Sequence, residues 1–283
     1  MTITINTNIA SLNAQRNLGK TQTLLHGNLG RLSTGLRINT AADDAAGLAI
    51  SENLKAQIRS LAQAQRNALD GVSLLQTAEG ALNEVSGILT RMRELATQAA
   101  NGTLGTAERG FLDQEFQALS NEIDRIAEVT EFNGTQLLDG TASAGMDFQV
   151  GINSTSNDSF TVSIADMHAN QIGATSTGAD TIDDVAVTAI SSAQAALAVI
   201  DQAISDISSE RADLGAFQNR INVTIANLGT ARENLSAANS RIRDVDVASE
   251  TAALTRNTIL MQAGVSVLAQ ANQIPAVALS LLG

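Results

Sequence analysis

A chain of 283 residues with net charge −12, 44% hydrophobic but only 2% aromatic, is poorly composed for a large globular core, which leans on aromatic side chains. Zero Cys excludes a disulfide framework, a thiol nucleophile and Cys-ligated metal, and acidity without a basic patch argues against nucleic-acid binding. Gln, Asn and Ser interrupt every apolar run before membrane-spanning length, so the plentiful Leu, Ile, Val and Ala point to long interlocking helices.

Met1 to Ala14 carries no basic leader followed by an apolar run, so no cleavable signal peptide is expected. Residues 4–32 place Ile5, Ile9 and Leu12, then Leu18, Leu25, Leu29 and Leu32, at helical spacing. The expected helix is N-capped near Thr4 or Asn6 and broken by Ser33-Thr34-Gly35. Asp43 and Asp44 follow, where a helix N-terminus favours negative charge, and capping is preferred to metal binding there.

A long helix is expected from about Ala45 to Ala100. Its seam recurs every seventh residue at Leu54, Leu61, Ala68, Leu75, Leu82, Leu89 and Ala96, widened by Ile58, Val72, Val85 and Met92. Gly102 ends it. A second helix from Thr106 to about Val129 puts Leu112, Phe116, Leu119, Ile123 and Ile126 on one face. Asn133-Gly134 and Asp139-Gly140 are turn signals. The period then changes to two. Met146, Phe148, Val150 and Ile152 alternate, as do Phe160, Val162 and Ile164, around the turn-forming run Asn153 to Asp158, which predicts a β-hairpin. Residues 165–184, rich in Gly, Thr, Ser, Ala and Asp, read as an exposed surface segment.

A return helix from about Val185 to Ile242 carries the strongest pattern in the chain: Ile200, Ile207, Leu214, Ile221, Leu228, Leu235, Ile242. Two seams of equal length predict two antiparallel helices packed side by side as a rod. One apolar seam does not offset the entropy of ordering so long a helix, so each helix needs apolar contact on a further side. From about Val247 to Leu282 a separate seam appears at Leu260, Val267, Ile274 and Leu281, with Gly264, Ala271 and Ala278 between them. Ile242 and Leu260 are two heptads plus four residues apart, a break between packing units. Pro275 should kink or end the helix near Gln273.

The two ends are nearly free of charge. No acidic residue precedes Asp43, and none of the residues from Asn257 to Gly283 is charged. A solvated terminal helix carries charge on its outer face, so both ends should be buried in the functional state. Catalytic signatures are missing. His26 and His168 are isolated, there is no His-Glu-x-x-His pair, and no phosphate loop, dinucleotide fingerprint or nucleophile elbow occurs, so neither an enzyme nor a cofactor is expected. Residues alone thus lead to a mainly α, antiparallel coiled-coil-like rod with a small mid-chain hairpin that self-associates through both ends.

Several stretches go further. Ile5-Asn6-Thr7-Asn8, Arg31-Leu32-Ser33-Thr34-Gly35-Leu36-Arg37-Ile38-Asn39, Asp43-Asp44-Ala45-Ala46-Gly47 and Arg66-Asn67-Ala68-Leu69-Asp70-Gly71 resemble bacterial flagellins. So do Thr77-Ala78-Glu79-Gly80-Ala81-Leu82, Arg93-Glu94-Leu95-Ala96, Phe132-Asn133-Gly134, Ala237-Ala238-Asn239-Ser240-Arg241-Ile242 and Gln270-Ala271-Asn272-Gln273-Ile274-Pro275. The resemblance covers roughly residues 3–140 and 200–283 in order, and implies a subunit of the flagellar filament in a short form without large outer domains.

In that family the chain ends line the filament's channel. The implied division is 1–42 as the N-terminal half of an inner-tube domain with its linking spoke, and 43–140 as the first half of the rod. Residues 141–184 would be hairpin and exposed loop, 185–243 the returning rod helix, and 244–283 the C-terminal half of the inner tube. The expected polymerisation seam is Leu18, Leu25, Leu32, Leu260, Val267, Ile274 and Leu281. The expected partners are other copies of the chain, an export chaperone, and cap and hook-junction proteins, with no nucleic acid and no membrane. Export by the flagellar type III apparatus to the extracellular flagellum is implied. A host Toll-like flagellin receptor is a further implied partner, through a patch matching Arg91, Leu95 and Glu115. Two rival readings are a hook–filament junction protein and a secreted ligand or adhesin. Residues 1–40 and 245–283 are expected to be mobile in the free chain and to order on assembly.

Overall fold

In the computed structural model, residues 7–174 and 180–280 are described, residues 274–280 through their backbone alone. The described chain is mainly α: α1 (Ile9–Thr34), α2 (Ala45–Ala99), α3 (Thr106–Val129), α4 (Ile190–Arg243) and α5 (Val247–Ser280). Two antiparallel ribbons lie between α3 and α4: β1 (Glu131–Phe132) with β2 (Thr135–Gln136), and β3 (Met146–Gln149) with β4 (Ser159–Val162). The chain forms two compact units. One is Arg59–Arg232, and the other is built from the two chain ends, up to Ile58 and from Glu233.

In the unit 59–232, α2 buries Leu61, Ala64, Ala68, Gly71, Leu75, Ala78, Leu82, Val85, Leu89, Met92, Ala96 and Ala99. That is an unbroken alternation of three- and four-residue steps, the pattern that keeps a helical seam against a partner. On α4, Ala193, Ala196, Ile200, Ala203 and Ile207 follow the same steps, after which only Leu214, Ile221 and Leu228 stay buried. The positions between them, Glu210, Phe217 and Thr224, are half-buried. There the hairpin closes the gap: the Arg220 guanidinium lies 4.8 Å from the Phe160 ring and 5.5 Å from that of Phe217, within cation–π range of both. Polar rungs show that α2 and α4 run antiparallel. Arg93 Nε donates to Asp201 at 2.6 Å, Gln218 to Glu79 at 3.0 Å and Arg232 to Gln65 at 3.0 Å.

The turn into α3 rests on Arg109, a buried charge. Its Nε donates to the Ala99 carbonyl at 2.8 Å and its Nη2 to that of Asn101 at 2.9 Å, which satisfies carbonyls left open at the end of α2. The β1–β2 turn has left-handed backbone at Asn133 (φ 52) and Gly134 (φ 79), the pair a two-residue hairpin needs. The β3–β4 hairpin sets Phe148 opposite Phe160.

The described residues of the segment 165–184 depart from the expectation of an exposed segment. Met167, Ala169, Ile172 and Ile182 are buried. The reason is backbone capture by carboxylates: Asp124 on α3 accepts from Ala169 N–H at 2.8 Å, and Asp206 on α4 accepts from Gly173 N–H at 3.0 Å. Gly173 (φ 86) comes so near α4 that a Cβ would lie 2.8 Å from the Val199 carbonyl. The return helix also begins later than expected, at Ile190. Buried Val185 and Val187 instead lie against α3, whose Gln117 and Asp113 bond their backbone at 3.1 and 2.8 Å.

In the other unit, Leu54, Leu235 and Ile242 are half-buried and Ile38 is buried. Asp44 caps α2 by accepting from Gly47 N–H at 2.8 Å, and Asp43 holds the preceding turn through Thr40 and Asn39. Helix α1 runs through Ser33 and Thr34 and stops at Gly35, whose left-handed backbone (φ 71) lets its N–H return to the Arg31 carbonyl. The expected caps Thr4 and Asn6 lie outside the described residues, and Asn8 caps the helix instead. Helix α5 does not end near Gln273 but continues through Pro275 to Ser280.

Candidate functional site

The termini meet as an antiparallel pair, α1 on α5. Helix α1 starts where the Asn8 side chain accepts from Ser11 N–H at 3.0 Å, and α5 where Asp246 accepts from Ala248 and Ser249 N–H at 3.0 and 3.3 Å. The segments that lead into the pair are themselves tied. Arg37 N–H donates to the Arg243 carbonyl at 2.6 Å and Val245 N–H to that of Gly35 at 3.0 Å, forming a bridge between Leu36 and Asp244.

The fully buried residues of this pair are polar or small, and its large apolar residues are half-buried or exposed. Ser11 and Asn28 are the buried residues of α1, and Ala271 is buried on α5. Leu18, Leu25 and Leu32 are half-buried. Leu18 reaches Gly264, where a Cβ would stand 3.2 Å from its Cδ1. The side that α5 turns inward combines the seven-residue series Glu250, Asn257, Gly264, Ala271 with half-buried Leu254, Met261 and Leu268. Meanwhile Ile9, Leu12, Leu24, Leu29, Ile259, Leu260, Val265 and Val267 are exposed, Leu260 by 51%.

The expected polymerisation seam is therefore two different things. Leu18, Leu25 and Leu32 belong to the side facing the chain's own α5, because glycine and alanine there leave room for leucine. Leu260 and Val267 face solvent. The Ile274 side chain and Leu281 lie outside the described residues.

Polar bonds cross the pair at both ends. Glu250 Oε1 accepts from Asn28 Nδ2 at 2.7 Å and from Arg31 Nε at 2.8 Å, while Asn257 donates to Asn28 Oδ1 at 2.9 Å. At the other end, Ser11 donates to Asn272 at 2.7 Å and Asn8 Nδ2 to the Ala271 carbonyl at 2.7 Å. The second of these explains how α5 passes Pro275. A proline has no N–H, so the carbonyl four residues before it loses its helical donor, and that carbonyl is Ala271. Asn8 supplies the missing hydrogen bond. Helical spacing put the cap near Thr4 or Asn6, so both roles of Asn8 needed the fold.

The expected rod-seam residues Leu61, Leu75, Leu82, Leu89, Ile200, Ile207, Leu214, Ile221 and Leu228 are buried inside the unit 59–232. The expected receptor patch does not hold together as a surface. Arg91 and Glu115 are exposed and paired at 2.8 Å, with Glu94 on the other side of the guanidinium at 2.9 Å. The hydrogen bonds to Glu94 and Glu115 raise the Arg91 pKa above its ordinary value. Leu95, however, is 0% exposed, because it stands beside the buried positions Met92, Ala96 and Ala99 and points into the core. Among the described residues no group of three or more His, Asp or Glu could hold a metal ion, and no helix is long and apolar enough to cross a membrane.

Comparison with known proteins bears on this arrangement. The family model of the bacterial flagellin N-terminal helical region matches residues 5–143, and that of the bacterial flagellin C-terminal helical region matches residues 197–282. A flagellin of Halalkalibacterium halodurans is 48% identical over 278 residues, covering 98% of this chain and 99% of that protein. A flagellin of Bacillus subtilis is 46% identical over 305 residues with the same coverage. A flagellar filament 33 kDa core protein of Treponema phagedenis is 43% identical over 290 residues, again covering 98% and 99%.

Proposed function

The chain belongs to the bacterial flagellin family and is a structural subunit of the extracellular flagellar filament of swimming cells; on that premise we propose that α1 and α5 complete their folding only against other copies. One observation carries the proposal: the terminal pair leaves Ile9, Leu12, Leu24, Leu29, Ile259, Leu260, Val265 and Val267 exposed, while Leu18, Leu25, Leu32, Leu254, Met261 and Leu268 are only half-buried. A helix pair that is stable alone covers its large apolar side chains. Half-burial gains too little to offset the ordering of two helices, whose isolated stability in water is marginal. Neighbouring copies that cover Leu12, Leu24, Leu260 and Val267 supply the missing burial. Ordering then coincides with assembly, so a pliable chain end becomes part of a stiff wall.

Amide hydrogen exchange on the free chain and on seeded filaments tests this. Amides of α1 and α5 exchange fast in the free chain while those of α2 between Leu75 and Met92 are protected, and all become slow in the filament. Equal protection of α1 and α2 in the free chain would overturn the proposal.

A further inference from the structure

The weak point of this helix pair is choice of partner. A helix pair whose inner positions repeat every seven residues, leucine on one helix and glycine, alanine, leucine and methionine on the other, can slide by a heptad and keep similar packing. On the assembly reading, other copies bring their own α5 helices within reach of each α1. Something must hold it on its own.

We propose that two polar clamps fix the register of α1 on α5 and keep the pairing within one chain. The first is Asn28, Arg31, Glu250 and Asn257; the second is Asn8 with the Ala271 carbonyl. In the first clamp Glu250 Oε1 receives two donors, and the Asn28 amide both donates and accepts. Asn28 is 3% exposed and the Glu250 side chain 15%. A slide of one heptad moves Leu18 from Gly264 to Ala271, an easy exchange of small residues. The same slide withdraws Glu250 from both Asn28 and Arg31 and leaves a mostly buried carboxylate unpaired, the costly outcome for a charge. A single buried Asn sets register in coiled coils by the same logic.

The second clamp reads a mark inside α5. The carbonyl four residues before the proline lacks its helical donor, so Asn8 finds a free acceptor at Ala271, whereas one heptad earlier the Gly264 carbonyl is satisfied within the helix, and a slide in that direction loses the bond. The two clamps sit at opposite ends of α1. The bridge between Leu36 and Asp244, where Val245 N–H meets the carbonyl of Gly35 at the end of α1, holds register at that end of the pair, and the clamps hold it along the helices themselves.

The inference rests on the assembly reading above, and its test separates the two. The chain has no cysteine, so engineered pairs report cleanly. Leu18→Cys with Gly264→Cys reports the native register, and Leu18→Cys with Ala271→Cys the slipped one. Both are oxidised in seeded filaments and read as intrachain products on denaturing gels. Mixed filaments with Leu18→Cys in some copies and Gly264→Cys in others report exchange between chains as covalent dimers. With the clamps intact, the native pair closes at least tenfold more than the slipped pair, and mixed filaments yield few dimers.

Asn28→Leu with Glu250→Leu removes the clamp without leaving a buried orphan. It should bring the slipped product to within about twofold of the native one and raise mixed dimers severalfold. Arg31→Glu and Glu250→Arg should each do the same, and the two together should restore the native pattern. The clamps are overturned if the leucine variant keeps the native crosslink pattern. They are overturned equally if the charge exchange fails to restore it, including where the leucine variant does not enter filaments. In either case wild-type filaments still form, so the assembly reading stands. In this experiment that reading would fail if wild-type chains formed none.

Discussion

His168 shows how a side chain can be read as idle from sequence and still fix a segment. Its Nδ1 lies 2.6 Å from Asp166, and Asp124 and Glu128 of α3 are the nearby charges that act on it. Burial disfavours the charged imidazole, but the hydrogen bond to Asp166 and the surrounding carboxylates outweigh it, so its pKa is raised above 6.5. A raised value means that the protonated imidazole binds the folded state better. Its contribution is complete below pH 6.5 and is lost as pH rises through the folded value. The expected size is on the order of 1 kcal/mol, because the pair is partly exposed. With two histidines in the chain, an NMR titration isolates it. His168 should titrate above 6.5 and fall back towards that value in Asp166→Asn, with faster exchange of the Ala169 amide at high pH. A titration unchanged by Asp166→Asn would refute the account. In sequence the two histidines stand isolated, and the carboxylates that gather around this one are hidden because they come from separate elements. Leu95 was hidden for the opposite reason. Resemblance marked it for a surface, while the three-and-four spacing from Met92 to Ala99 already put it near the core stripe.

At the scale of elements, periodicity predicted what repeats. The bounds of α2 and α3 and the β3–β4 hairpin follow from spacing, a terminal glycine and a switch of period, all local signals. The segment 165–184 and the late start of α4 were not legible, because carboxylates of α3 and α4 bind backbone that has no pattern of its own. Pro275 misled for a related reason. The rule that proline ends a helix assumes that the freed carbonyl finds no donor, and here Asn8, more than two hundred residues away in sequence, provides one. The seam of α2 can be tested directly. Leu82 is fully buried within it, and Leu82→Ala should cost about 2–5 kcal/mol, the usual range for leucine truncation with a residual cavity. Urea unfolding followed by helical circular dichroism measures it. A loss under 1 kcal/mol would mean that the seam is not closely packed.

For the whole molecule, the informative residues are those that the folded chain leaves uncovered. Leu260 and Val267 are large and seven apart, and from sequence they read as a seam that neighbouring copies bury. The face that α5 turns to its own α1 is a different one: Glu250, Asn257, Gly264 and Ala271, which hydrophobic periodicity cannot select, beside half-buried Leu254, Met261 and Leu268. This difference separates folding from assembly in one experiment. Because both side chains are exposed, Leu260→Ala with Val267→Ala should leave the stability of the free chain within about 0.5 kcal/mol, as is usual at surface positions. If copies bury them in the filament, each truncation forfeits roughly 1.5–3 kcal/mol of burial. Together they should raise the subunit concentration needed for growth by about a hundredfold or more. Calorimetry of the free chain and the critical concentration of seeded growth give the two numbers, and cells carrying the variant should grow short filaments and swim poorly. A variant that grows at the wild-type concentration would show that the apolar outer face is not what joins the copies. A variant that loses free-chain stability by several kcal/mol would show that these residues hold the single chain together, so that assembly does not complete the fold.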